Sequence, residues 1–304
     1  MKVQDIICGS LLGDGSLRSQ NNKYFSLKIT AKDKRFTSWL EKSFNNFGLK
    51  CWTTEERENI FSVWFYINTC PYPEFLKLRQ KWYREEDIRA QKVVPKDLEL
   101  TPSTLFYWYL GDGSLIRRKN DTNRVPPIVL ATNCFQKEDI DFLIQKLKGL
   151  NLNFYPVKYK SGFTGEECGS CLYSSTEDGT PFRFFKLIGF ECPKEIKNCS
   201  TGSKGIYKEE KFFRDKWPNE EDWIKILSNV KGIGPFLREK RLQLGLSQNQ
   251  FGKKISIRRE NIRDVELSKR NFSVKRLRLV LKALNLDITY LLEKLSNEKF
   301  GTGS

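Results

Sequence analysis

Two segments of this sequence close on the same five residues. Ile6 to Leu17 ends in Gly13-Asp14-Gly15-Ser16-Leu17, and Leu105 to Leu115 ends in Gly111-Asp112-Gly113-Ser114-Leu115. Each follows an apolar run that reads as a helix, and each precedes a basic, strand-like stretch. A single Gly-Asp-Gly-Ser is an ordinary helix stop, because glycine suits a left-handed cap and Asp-Gly suits a turn. Two copies in the same context argue for more. A carboxylate at a helix C-terminus faces the negative end of the dipole, at a cost of about 0.3–1 kcal/mol. A divalent cation shared with a phosphate would reverse that cost. Two such carboxylates side by side can hold metal ions at two scissile phosphates, as phosphodiester hydrolysis requires. Oxygen ligands of this kind suit Mg²⁺. Gly9 and Gly13 lie one helical turn apart, a spacing that lets two helix backbones approach and would bring Asp14 beside Asp112.

Composition narrows the chemistry. The 304 residues include no histidine, which excludes Ser-His-Asp and Cys-His hydrolases and every nuclease with a histidine base. Carboxylates, metal ions and lysine remain. A formal charge of +16 on an aromatic-rich chain points to nucleic acid as the partner. No apolar run approaches the ~18 residues of a membrane span, so no membrane partner is expected. Met1 to Asp5 lacks a signal pattern, and the expected location is intracellular, cytoplasmic or nucleoid-associated, or in an organelle. The eight cysteines then read as reduced thiols. Cys168, Cys171, Cys192 and Cys199 have the donor types for zinc, but the second pair is loosely spaced, and no zinc site is assigned.

The repeat extends beyond the motifs. Polar turns at Asn21-Asn22 and Asn120-Asp121 lead to strands over Tyr24–Thr30 and Ile128–Thr132. Amphipathic helices follow, with apolar faces at Phe36, Trp39, Leu40, Phe44 and Phe47 in one copy and Ile140, Leu143, Ile144, Leu147 and Leu150 in the other. Strands come next, Ile60–Ile67 in the first copy, and Phe154–Tyr159 and Leu172–Ser174 in the second. A last helix carries Phe75 to Leu78 and Phe184 to Leu187. The fold class is α+β, an αββαββα unit used twice as a pseudo-twofold pair, followed by an all-α domain. The expected divisions are residues 1–100 and 101–200 for the repeats, 201–234 for a partly helical connector, 235–296 for the helical domain and 297–304 for a tail.

Ile7-Cys8-Gly9-Ser10-Leu11-Leu12-Gly13-Asp14-Gly15 and Leu105 to Gly113 resemble the nine-residue signature of the LAGLIDADG homing endonucleases, across residues 1 to about 200. Tyr107 replaces a small residue of the signature. The resemblance implies a saddle of two antiparallel sheets in the DNA major groove, with both strands cut to short 3′ overhangs. It implies two or three Mg²⁺ ions held by Asp14, Asp112 and the carbonyls of Gly13 and Gly111, no organic cofactor, and one basic residue near each metal. Lys92 matches the first basic position, and Lys197, with Lys194 as its rival, the second. Base readout from the strands is expected of Arg18, Gln20, Lys28 and Arg57 in the first half and Arg117, Lys119, Lys158 and Lys160 in the second. Any one of these is as able to touch phosphate.

Residues 235–295 resemble a Cro/repressor-type helix-turn-helix. Ser247-Gln248-Asn249-Gln250 is a capping box, and Arg258 to Glu266 reads as the recognition helix. The resemblance places Arg258, Arg259, Asn261 and Arg263 at the major groove and Gln248 near phosphate. The expected function is a site-specific, monomeric, metal-dependent homing endonuclease on double-stranded DNA, its recognition extended by the helix-turn-helix. The alternatives are a transcription regulator or an intron maturase on the same scaffold. Ending the chain near Ser200 is expected to weaken binding and spare the chemistry.

Overall fold

The computed structural model describes residues 2–19, 23–59, 62–84, 90–118, 123–160, 167–201, 210–230 and 232–297. The chain divides into two compact units, Met1–Leu115 with Ile128–Ser174 and Leu187–Trp217, and Ile116–Pro127 with Ser175–Lys186 and Pro218–Ser304.

The first unit holds the duplicated pattern. One copy runs α1 (Val3–Leu12), β1 (Ser16–Arg18), β2 (Ser26–Ala31), α2 (Lys34–Asn46), β3 (Cys51–Asn59), β4 (Ser62–Thr69) and α3 (Pro73–Trp82). Two short strands, β5 (Tyr83–Arg84) and β6 (Gln91–Lys92), link it to the next copy. That copy runs α4 (Pro102–Asp112), β7 (Gly113–Leu115), β8 (Ile128–Leu130), α5 (Lys137–Gly149), β9 (Phe154–Lys160), β10 (Glu167–Ser174) and α6 (Thr180–Ile188). The sheets have the same antiparallel order, β1-β2-β4-β3 and β7-β8-β10-β9. The expected α+β class and doubled αββαββα unit are therefore present. Within the repeat, β3 was missed, because its Glu55-Glu56-Arg57 run hides the strand pattern, and the short linking strands β5 and β6 were not expected either. The turns expected at Asn21-Asn22 and Asn120-Asp121 lie outside the described residues.

Each sheet has one helix-packed face. In the first, Leu17, Leu27, Ile29, Cys51 and Ile67 are buried beneath α2. In the second, Leu115, Ile128, Leu130, Phe154 and Leu172 occupy the equivalent places. Strand alternation turns the intervening residues to the opposite, open face.

Helices α1 and α4 pack on each other. Both are apolar around most of their circumference, as a helix surrounded by core must be. A Cβ on Gly9 would lie 2.5 Å from the Thr104 carbonyl oxygen and 2.8 Å from Tyr107 Cβ. Tyr107 does not loosen this contact, because its ring turns toward Phe44, with centroids 6.2 Å apart. Gly9→Ala is expected to destabilise the protein by about 1–3 kcal/mol through overpacking, measured by denaturant unfolding. An unchanged midpoint would refute the close approach.

The second unit contains α7 (Glu220–Leu227), α8 (Ile233–Gln243), α9 (Gln248–Ile255), α10 (Arg259–Glu266), α11 (Val274–Leu284) and α12 (Ile288–Asn297). The capping box is formed: Ser247 Oγ accepts from Gln250 N at 3.2 Å, and Ser247 N donates to Gln250 Oε1 at 2.9 Å. Arg241 donates to both Glu266 carboxylate oxygens, at 2.6 and 2.9 Å, and both side chains are buried. Arg241→Met would leave Glu266 charged and without its ion partner. It is expected to cost about 3–5 kcal/mol in thermal unfolding of this unit. A loss below ~1 kcal/mol would mean that water replaces the arginine.

The second unit gathers segments that are distant in sequence. Asn229 Nδ2 donates to Thr176 O at 2.8 Å, Lys186 Nζ donates to Leu295 O at 2.9 Å, and the Phe185 and Trp223 rings pack edge to face. Residues 116–127 and 175–186, which belong to the second repeat in sequence, thus fold with the helix-turn-helix. No helix among the described residues is long and apolar enough to cross a membrane.

Candidate active site

Helices α1 and α4 end side by side. A Cβ on Gly13 would touch Gly111 Cα at 3.4 Å, and one on Gly111 would lie 3.1 Å from Asp14 N and 3.5 Å from Asp14 Oδ2. Backbone contact at the two glycines therefore brings Asp14 and Asp112 together. The motif glycines do not serve as left-handed caps: Gly13 has φ −100° and Gly113 has φ −87°. Their requirement is steric. A Cβ on Gly15 would lie 2.6 Å from Ser10 O, and one on Gly113 would overlap the Tyr109 ring.

Two lysines complete the arrangement. Lys92 Nζ donates to the carbonyls of Leu11, Gly13 and Gly15, at 2.7, 3.1 and 2.9 Å. Lys216 Nζ donates to Leu110 O at 2.7 Å and Gly111 O at 2.9 Å. Each ammonium thus sits at the C-terminal end of one motif helix, where the dipole favours a cation. Lys216 belongs to a 3₁₀-helix, Phe213–Lys216, seated by Phe213 against Phe36 and by Trp217 Nε1, which donates to Gly189 O at 3.0 Å. Tyr109 Oη also donates to the Lys216 carbonyl.

The electrostatics follow from burial. Desolvation, with the Asp14 carboxylate beside it, pushes Asp112 up to about 7. Burial likewise lowers Lys92 and brings Lys216 down to about 8, while the two aspartates oppose both shifts. Two carboxylates and two carbonyls, of Gly13 and Gly111, form an oxygen-only donor set, which fits a hard divalent cation. The lysine bonds leave each carbonyl oxygen a second lone pair. Among the described residues, no group of three or more His, Cys, Asp or Glu side chains is placed to hold a metal.

Lys197 is exposed, and its carbonyl accepts from Arg214 N at 3.1 Å. Lys194 is exposed as well. Lys216 is the lysine whose ammonium meets the α4 carbonyls, and the sequence reading passed over it because it lies in the connector. A signal was present: Lys216-Trp217-Pro218 repeats the lysine, apolar residue and proline of Lys92-Val93-Val94-Pro95. A chain ending at Ser200 would lack Lys216 and its bonds to the α4 carbonyls.

The strand residues divide by face. Arg18 and Lys28 stand on the open face of the first sheet, Lys28 over the Tyr66 ring at 3.7 Å. Arg57 pairs with Val63 of β4 and alternates onto the opposite face, with Cys51, Thr53 and Glu55; its guanidinium is 3.1 Å from Glu55. Lys158, in register with Ser170, likewise shares the face of Phe154 and Leu172. A two-residue alternation sends both away from the open faces. Arg117 donates to the buried Asp222 at 2.7 Å and so anchors α7. Gln20, Lys119 and the side chain of Lys160 lie outside the described residues.

In the helix-turn-helix, Arg258, Arg259 and Arg263 are exposed. Arg263 is 3.2 Å from Asp264, and Asn261 Oδ1 accepts from Arg270 at 2.9 Å. Gln248 is half-buried and donates to Glu266 at 2.8 Å, which commits one of its amide hydrogens inward.

The chain matches the family model of the LAGLIDADG DNA endonuclease family over residues 4–180 and a helix-turn-helix model over residues 237–291. It is 34% identical over 154 residues to a protein of Methanocaldococcus jannaschii, covering 48% of this chain and 55% of that one. It is 29% identical over 161 residues to "Probable intron-encoded endonuclease 1" of Wickerhamomyces canadensis, covering 50% of this chain and 68% of that one. The chain thus spans about half the length of the first relative. Among solved structures, the homing endonuclease I-WcaI bound to its DNA recognition sequence aligns with a TM-score of 0.49 and 24% identity, over 62% of this chain and 81% of that one. With the family model covering more than half its residues, the chain belongs to the LAGLIDADG DNA endonuclease family.

Proposed function

We propose that this protein is a Mg²⁺-dependent, site-specific endonuclease that makes a double-strand break in a long duplex target. The observation that carries the reading is the doubled Asp–Lys arrangement: Asp14 with Lys92, and Asp112 with Lys216, at adjoining helix ends. Asp14, Asp112 and the Gly13 and Gly111 carbonyls would hold divalent ions, which supply Lewis acidity and an activated water to phosphodiester hydrolysis. Lys92 and Lys216 place positive charge where charge grows on the phosphate in the transition state. The close backbone contact fixes the spacing of the two carboxylates, and hence of the two cuts. Both halves lie in one chain, so the enzyme acts as a monomer.

The helix-turn-helix extends recognition along the same duplex. Its exposed Arg258, Arg259 and Arg263 displace counterions and read the groove. Its covalent connection to the nuclease raises its effective concentration at the target. A regulator built on a retired nuclease would have no use for both carboxylates and both lysines.

The reading is tested by selection of cleaved sites from a randomised duplex library. The expected result is one long site cut on both strands in Mg²⁺. Enrichment of bound but uncut DNA would favour the regulator.

A further inference from the structure

The two open sheet faces differ at equivalent positions. Along the edge strand of the first sheet, β3 presents Trp52, Thr54 and Glu56 on its open face. Across it stand Trp64, Tyr66, Lys28 and Asn68, with Lys28 over the Tyr66 ring and Asn68 Nδ2 donating to Thr54 Oγ1 at 2.9 Å, so aromatic rings here are interleaved with charged and polar groups. This surface is rich in donors and acceptors. The edge strand of the second sheet, β9, presents Tyr155, Val157 and Tyr159 in the matching places. Tyr155 and Tyr159 are 49% and 44% exposed, and the Tyr173 ring of β10 packs 6.4 Å from that of Tyr155. Among the described residues, this second face carries no charged side chain: Ser114 and Tyr173 share it, the Val129 and Cys171 side chains are buried beneath, and Lys158 is on the other side.

What sets the second face apart is aromatic surface without charge, where the first mixes its rings with Arg18, Lys28 and Glu56; on a chain of charge +16, such an uncharged face needs an apolar surface within a polyanion. The strands begin at the carboxylates: β7 starts at Gly113, directly after Asp112. A duplex with a phosphate at Asp112 therefore continues onto this face. In the major groove, the apolar group a base pair offers is the thymine C5-methyl. We propose that the second sheet selects a thymine-rich half-site by packing Tyr155, Val157 and Tyr159 on thymine methyls, whereas the first sheet reads its half by hydrogen bonds. The proposal rests on the endonuclease reading above and names its substrate more narrowly.

The test uses the full-length protein and the site it selects. In Mg²⁺-free binding assays, deoxyuridine replaces thymidine in one half at a time, removing methyls and leaving every hydrogen-bonding group. Loss of about fourfold in affinity per contacted methyl is expected in the half facing the second sheet, from the transfer value of one buried carbon. Little loss is expected in the other half. Tyr155→Ser and Tyr159→Ser should weaken binding to thymidine DNA and abolish the thymidine–deoxyuridine difference. A G·C-rich half-site, or equal affinity for uracil DNA, would overturn the proposal while cleavage of the target still stands. If no site is cut at all, the endonuclease reading falls first and this proposal with it.

Discussion

Replacing Lys216 by Met is expected to slow single-turnover cleavage by about 10²–10³-fold, with affinity for the target nearly unchanged. Loss of one preorganised charged donor at a reacting oxygen has an effect of that order. Lys216 is held by its surroundings, with its ammonium on the carbonyls of Leu110 and Gly111 and its 3₁₀-helix fixed by Phe213 and Trp217. Methionine keeps the length of the stem, so the site should stay packed. Lys92→Met should act in the same way on the other half, and Lys197→Met should cut at the normal rate because its side chain is exposed. Strand-labelled substrates measure both cuts together. Normal cleavage by Lys216→Met, or a defect in Lys197→Met of equal size, would refute the assignment. A chain ending at Ser200 is expected to lose cleavage as well as affinity, since it lacks Lys216.

Asp14→Asn and Asp112→Asn are each expected to abolish the double-strand break while DNA binding persists. Asparagine retains the shape but withdraws the charge that a divalent cation needs. Stability offers a second readout. Without metal, Asp112 is raised to about 7 by burial and by the Asp14 carboxylate, so keeping a carboxylate charged there costs stability. Either Asn variant should therefore melt at or above the wild-type temperature in chelator. Mg²⁺ should raise the wild-type midpoint, because a ligand bound to the native state stabilises it, and should not raise that of the variants. A variant that unfolds at lower temperature in chelator would point to a structural role for the carboxylate instead.

Much of this site was legible in the sequence because it is local. Asp14 and Asp112 sit in motifs whose apolar helices and glycines dictate their own packing, and Gly9 with Gly13 announced the helix contact. The reason for the glycines was misread. Their backbone angles are ordinary, and the crowding of neighbouring carbonyls and rings is what excludes a side chain. Lys92 was singled out through its Val93-Val94-Pro95 context, and its ammonium lies on the carbonyls at the end of α1. Lys216 was not, because it depends on tertiary folding of a connector whose distance from the motif differs between the halves. The binding face was only partly legible. Strand β3 is too charged to be recognised by alternation, so Arg57 could not be placed in register until its pairing with β4 was known. Lys158 fails for a related reason: a basic residue in a strand reveals nothing of which face it occupies. Arg117 shows the same limit, since its partner Asp222 lies far along the chain.

The central claim, that two Asp–Lys pairs hydrolyse both strands with metal, is tested most directly by single-turnover kinetics on the selected duplex, each strand carrying its own label. In Mg²⁺ both strands should be cut at fixed positions flanking one centre, and in chelator the protein should stay bound to intact DNA. Cleavage that survives the chelator, or tight specific binding with no cut in Mg²⁺, would contradict it.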